Sequence, residues 1–196
     1  HEGLLLEGKN YYEIIKELHG NRYDLVILGA LGLAAVNESV IGSVCERVVR
    51  RIKTDVLVVK NKCLAGKVVI AVDGSISSIA GVKSAINFAK SFNLKLVAIS
   101  VFDPHYHRVA FESIANVLSK EAGQVFRFKE QEILHEEIID KGLAKIYQNH
   151  LDRVNKMAGD AGLDVDTVLM DGKPYDKILS YIKKENPSTL ILGRTG

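Results

Sequence analysis

Cysteine is almost absent: Cys45 and Cys63 are the only two in 196 residues, with no CxxC pair and no Cys/His cluster of zinc spacing. A disulfide-built domain and a zinc module are thereby excluded, and a reducing compartment, the cytoplasm, is the expected location. A charge excess is missing too. With 26 Lys and Arg against 24 Asp and Glu, bulk charge recommends neither nucleic acid nor an acidic membrane surface as a partner. No apolar run approaches the roughly 18 residues that a membrane-spanning helix needs, and no basic, then apolar, then small-residue series opens the chain as a secretory leader would. What is present is globular in composition, 47% hydrophobic and 26% charged, enough to bury a core. The first residue is His1 rather than Met, so the fold reading allows for a missing front.

The strongest internal signal is a repeat. At an offset of 164, the 32 residues from Val165 align without a gap on those from His1, with nine identities: Leu5/Leu169, Gly8/Gly172, Lys9/Lys173, Tyr11/Tyr175, Ile14/Ile178, Ile27/Ile191, Leu28/Leu192, Gly29/Gly193 and Gly32/Gly196. A period of that size is a whole domain, since solenoid units run about 20–50 residues. Residues 1–60 are accordingly the C-terminal part of one domain, 61–66 a linker, and 67–196 the N-terminal part of a second, so the chain reads as a tandem pair cropped at both ends.

Each copy reads as a short strand, a Gly-Lys turn, an amphipathic helix, a second strand and a glycine pair. Tyr11, Ile14, Ile15 and Leu18 fall at helical spacing in the first copy, as do Ile178, Leu179 and Ile182 in the second. The runs Leu25 to Leu28 and Thr189 to Leu192 have the short, continuous apolar character of buried parallel strands. The first unit closes with a helix from Ser43 to Ile52 and the strand DVLVVK, and the second opens with the strand Lys67 to Val72, a helix carrying Ile79, Val82, Ile86 and Ala89, and the strand Leu94 to Val101. Strands alternating with helices imply an α/β fold: an open parallel five-stranded sheet per unit, helices on both faces, right-handed crossovers. Between about 103 and 160 the periodicity is helical throughout, an extension longer than a standard crossover. Its apolar stripe runs from Phe111 through Ile138, Leu143 and Ile146 to Leu151, and part of that surface is expected to pack outside the sheet, on a neighbouring domain or subunit.

Gly29, Gly32 and Gly42-Ser43 then acquire a place. The first two follow a parallel strand, where missing Cβ atoms let a nucleotide approach the backbone. Gly42-Ser43 opens a helix, whose first amides and Ser43 hydroxyl suit phosphate oxygens. In the second unit Asp73, in the turn VDGS (72–75), offers a carboxylate to ribose hydroxyls or an adenine amino group at the end of its first strand. The same acid in that position also serves simply to cap the next helix.

At these residues the sequence resembles the universal stress proteins. The family's G-x2-G-x9-G-[ST] signature is matched at every fixed position by Gly29, Gly32, Gly42 and Ser43, and KVVIAVDGS resembles the family's first strand and acidic turn. The resemblance covers nearly the whole chain apart from the long helical segment. It implies ATP, or AMP or ADP, as ligand, with Mg2+ accompanying the nucleotide. Asp73 with Gly74 and Ser75 would hold the adenosine end and Val101 would touch adenine. Gly29, Gly32, Gly42, Ser43 and Val44 would hold ribose and phosphates, with Gly193 and Gly196 as the second unit's opening glycines. Occupancy would change assembly, as a homo-oligomer such as a dimer or as a pair of domains within one chain, or change partner binding. The alternative is a nucleotide-free stress scaffold acting through protein contacts. Leu31 and Glu38 weigh against phosphate in the first unit's loop, whereas Arg194 stands ready for one in the second.

No catalytic residue is assigned. The chain has no G-x4-G-K-[ST], G-x-S-x-G or H-E-x-x-H motif, and DGSISS only loosely approaches the S-G-G-x-D-S loop of ATP pyrophosphatases. At most slow, incidental ATP hydrolysis is expected. His105 and His107, with only Asp103 beside them, fall short of a metal-ligand set, and no metal residue is assigned.

Overall fold

A computed structural model describes residues 3–30, 41–60, 64–104 and 128–194. The chain forms two compact units, His1–Cys63 and Leu64–Gly196. In the first, helix α1 (Asn10–Gly20) leads to strand β1 (Leu25–Gly29), and helix α2 (Ser43–Val49) to strand β2 (Asp55–Val59). The two strands pair in parallel from Leu25↔Asp55 to Gly29↔Val59. Strand alternation turns Val26 and Leu28 to one face, where they pack with Val48 and Ile52 and with Tyr11, Ile14, Ile15 and Leu18 of α1. The opposite face carries Leu25 and Ile27, 49% and 63% exposed.

The expected opening strand of this unit does not form: Gly3–Lys9 has no regular structure, and Leu5 is wholly exposed. Its counterpart in the second unit is a strand because it has something to pair with. A strand without a neighbour leaves its peptide groups unpaired and gains no sheet burial, and the described part of the first unit supplies no such neighbour.

The second unit contains strand β3 (Lys67–Ala71), helix α3 (Ile76–Phe92), strand β4 (Lys95–Phe102), helix α4 (Phe128–Asp160), strand β5 (Val165–Asp171), helix α5 (Pro174–Glu185) and strand β6 (Thr189–Ile191). All pair in parallel, in the order β5-β4-β3-β6. Four strands, not five, make up this sheet, and two the other, among the described residues. Val68, Ile70 and Val72 point to one face, beneath Val82, Ala85, Ile86 and Ala89 of α3 and Leu151, Val154 and Ala158 of α4. Val69, Val97 and Ile99 point to the other, beneath Ile178, Tyr181 and Ile182 of α5. Covered on both sides, β4 is buried at every position after Lys95, which is why LVAISV carries no polar alternation.

Helix α4 is 33 residues long, and its later part packs on the sheet. Leu151, Val154 and Ala158 are fully buried, whereas Ile138 and Ile146 are 62% and 52% exposed. The elements are tied at the amino edge of the sheet. There the Lys67 ammonium meets the Glu185 carboxylate at 2.6 Å and the Lys90 ammonium donates to the Ala161 carbonyl. The carboxyl edge is left to the loops.

These packing differences predict unequal costs for two deletions of similar chemistry. Ile70→Ala, in the centre of β3, should lower the unfolding free energy by about 3 kcal/mol, while Ile138→Ala should change it by less than about 0.5 kcal/mol. Urea midpoints at constant m-value measure both.

Candidate functional site

In the second unit the chain runs from β3 through β4 to β5 in one direction across the sheet, then returns to place β6 on the other side of β3. The connection from β3 to β4 and the one from β5 to β6 therefore run in opposite directions across the sheet. A crevice at that switch point, outside the strand carboxyl ends, is where open α/β sheets receive ligands.

The end of β3 is fixed by buried hydrogen bonds. The Val72 amide donates to the Ile99 carbonyl at 2.9 Å, and the Ser100 hydroxyl donates to the Val72 carbonyl at 2.7 Å. Ser100 is only 1% exposed, so that bond satisfies a polar group that would otherwise be costly to bury. Asp73 comes next. Its Oδ1 accepts from the Ser75 amide at 2.9 Å, closing a turn over Gly74, whose φ of +81° suits glycine. Ser75, not Asp73, then caps α3: its hydroxyl oxygen accepts from the Ser78 amide. Asp73 is thus spared the capping role and held at the carboxyl edge, just past the end of β3. Burial by itself pushes its pKa up, but hydrogen bonding from Ser75 and Ser78 prevails and holds the carboxyl below the ordinary aspartate value.

On the far side of the switch point, Gly193 leaves β6 directly over the first turn of α3. A Cβ there would stand 3.1 Å from Ser77 Oγ and 3.2 Å from the Ser78 amide nitrogen. On the near side Val101 sits two residues beyond Ile99, the last β4 partner of β3. Period-two alternation turns its peptide groups to the same side as those of Ile99, toward the place where β3 has already ended. Asp73, Gly74, Ser75, Val101 and Gly193 therefore share one sheet's carboxyl edge. Gly196 lies outside the described residues.

The first unit groups Gly29, Gly42, Ser43 and Val44 at the carboxyl edge of its own sheet. The Ala30 amide extends the ladder to the Val59 carbonyl, and the Gly42 amide donates to the Ala30 carbonyl at 2.6 Å. Gly42 is thus committed to closing the neck of the loop, which corrects the expectation that its amide is open to phosphate. The amides of Ser43 and Val44, in the first turn of α2, receive no side-chain cap from Gly42. Gly32, Leu31 and Glu38 lie outside the described residues, as do Cys63, His105 and His107. Cys45 is buried, which pushes its thiol pKa up.

The family model described as the universal stress protein family matches residues 2–60 and 65–196. The chain belongs to the universal stress protein family. It is 28% identical over 130 residues to universal stress protein MJ0531 of Methanocaldococcus jannaschii, a match covering 66% of this chain and 65% of that protein. Its fold is similar to that of a universal stress protein from Archaeoglobus fulgidus (TM-score 0.57, 19% identity, 92% of this chain and 53% of that one). It is similar too to PA1789 of Pseudomonas aeruginosa, a protein without known function (TM-score 0.61, 14% identity, 95% of this chain and 57% of that one). The chain thus spans between about half and two thirds of the length of these relatives. Among the described residues no group of His, Cys, Asp or Glu is arranged to hold a metal ion, and no helix is long and apolar enough to cross a membrane.

Two groups that support this candidate site carry little signal in the sequence. Ser100 was detectable as a lone hydroxyl in a fully buried strand. His150 of α4, which looks like a solvated residue on a polar helix face, is half-buried against the Asp73 turn. Its signal was its place immediately before Leu151, a core position.

The lowered Asp73 pKa has a defined pH consequence. A carboxyl whose folded pKa lies below its unfolded value, about 3.9, adds stability that is fully present above that value and is lost as pH falls through the folded pKa. Asp73→Asn should therefore flatten the acid decline of stability below about pH 4, measured as thermal midpoints against pH in ligand-free buffer. Gly193→Ala should lower the thermal midpoint at every pH, because the added methyl meets the backbone of α3.

Proposed function

We propose that this universal stress protein is a receptor for an adenine nucleotide, ATP first and AMP or ADP as variants, bound at the carboxyl edge of the β3–β4–β6 sheet. The observation that carries the reading is the pairing of a hydrogen-bonded, ionised Asp73 with the Cβ-free backbone of Gly193 across the switch point of a parallel sheet. The carboxylate accepts from a ribose hydroxyl or the adenine amino group, the Val101 peptide meets the purine edge, and the Gly74–Ser75 turn closes the nucleoside end. Arg194, just past Gly193, and Gly196 belong on the phosphate side. Mg2+ arrives with the nucleotide, held by phosphate oxygens and water, since no group of His, Cys, Asp or Glu among the described residues is arranged to hold it.

The two stretches matched by the family are in this reading two copies of one domain, and they differ in use. In the first, the Gly42 amide is spent on Ala30, which favours a contact role for that unit within a dimer or a domain pair over a second nucleotide site. Gly29, Gly32, Ser43 and Val44 keep the family's spacing there with reduced capacity. The protein works as a cytoplasmic binding module: occupancy changes what it assembles with, and hydrolysis is incidental.

Titration calorimetry with Mg-ATP tests this. The wild-type protein should bind one equivalent per second unit, and Asp73→Ala should weaken binding by at least about tenfold, the loss typical for removing a charged hydrogen-bond acceptor. No heat and no co-purified nucleotide would sink the ATP reading; unchanged affinity in Asp73→Ala would move the ligand away from β3.

A further inference from the structure

The turn that presents Asp73 is held from one side by the sheet and from the other by α4. Leu151, Val154 and Ala158 are buried in the same cluster as Val68, Ile70 and Val72, which fixes the helix to the strands. One position before Leu151, the His150 ring is pressed on Gly74: a Cβ at Gly74 would collide with Cε1 and stand 2.6 Å from Nε2 and 2.7 Å from Nδ1. Those three atoms are the N–C–N edge of the imidazole, so its polar edge faces the turn. Tyr147 meets the ring edge-on at 5.5 Å and itself packs at 5.9 Å on Phe102, the last residue of β4. A continuous series Phe102, Tyr147, His150 therefore leads from the end of β4 to the end of β3.

This contact acts on the most permissive residue in the turn. Val72, before Asp73, is fixed through Ile99 and Ser100. Gly74, after it, has no side chain of its own, and its left-handed conformation is one of several that glycine adopts at little cost. The imidazole fills the space that a side chain would occupy and so removes the alternatives.

We propose that His150 is a positioning residue of the nucleotide site: its ring clamps the Gly74 backbone and thereby holds the Asp73 carboxylate in the orientation that meets the nucleoside. The inference rests on the nucleotide reading of the crevice and adds α4 to the elements that build it. Without the clamp, the turn must be ordered when ligand binds, and that ordering weakens affinity.

The test uses the full chain, with Mg-ATP as the probe. His150→Ala should weaken binding by about fivefold to tenfold, the scale of ordering one backbone residue, with the wild-type far-UV spectrum retained. In the wild type, the carbon-bound Hε1 proton of His150 should shift on saturation with Mg-ATP, and the shift should vanish in Asp73→Ala; a purely structural histidine would not respond. Equal affinity in His150→Ala and wild type, or an Hε1 signal unmoved by saturating nucleotide, overturns the inference while leaving the binding site standing. A wild-type protein that binds no nucleotide overturns both. Should His150→Ala fail to fold, the wild-type Hε1 titration decides alone.

Discussion

The interaction on which the second unit depends is the pairing of β3 with a parallel neighbour on each side. Lys67 to Ala71 is paired with β4, and Val68 to Ile70 with β6. Because β4 and β6 are reached by connections running in opposite directions, the carboxyl end of β3 lies at the switch point of the sheet. Asp73, Gly74 and Ser75 stand there because β3 ends there, and Gly193 joins them because β6 ends beside it. The buried Ser100 hydroxyl secures the last peptide of that strand before the turn begins.

The repeat shows what local sequence decides and what it leaves to context. Both copies of the Gly-Lys turn behave alike: Gly8 and Gly172 take φ of +144° and +119°, and Lys9 and Lys173 stand at the N-caps of α1 and α5. A glycine followed by an amphipathic run encodes that turn and helix by short-range sterics alone. The residues before the turn diverge. Val165–Asp171 is a strand paired over seven residues with β4, while Gly3–Lys9 is irregular and exposed. Aliphatic residues permit a strand, but a paired neighbour makes one.

The same distinction explains how much of the site could be read beforehand. The α/β class, the strands Leu25–Gly29 and Lys67–Ala71, and the turn at Asp73 were legible because buried parallel strands and glycine turns leave marks within a few residues. The number of strands in each sheet was not, since pairing depends on chain that is distant or absent from the pattern. The glycine spacing from Gly29 to Ser43 was plain in the sequence, yet it could not reveal that the Gly42 amide is taken by Ala30. Nor could helical periodicity give His150 a role: a histidine at the margin of a buried stripe looks the same whether it meets water or a glycine on another element. Nor could the apolar stripe of α4 show which of its members the sheet buries: Leu151, Val154 and Ala158 are buried, whereas Ile138 and Ile146 are exposed.

The central claim is that ligand binds where β3 and β6 end. Amide chemical shifts of the isotopically labelled chain, followed through a titration with Mg-ATP, test it residue by residue. The account predicts that the largest changes fall on Gly74, Ser75, Val101 and Gly193. Changes confined to the amino edge around Lys67 and Glu185, or no changes at saturating nucleotide, would contradict it.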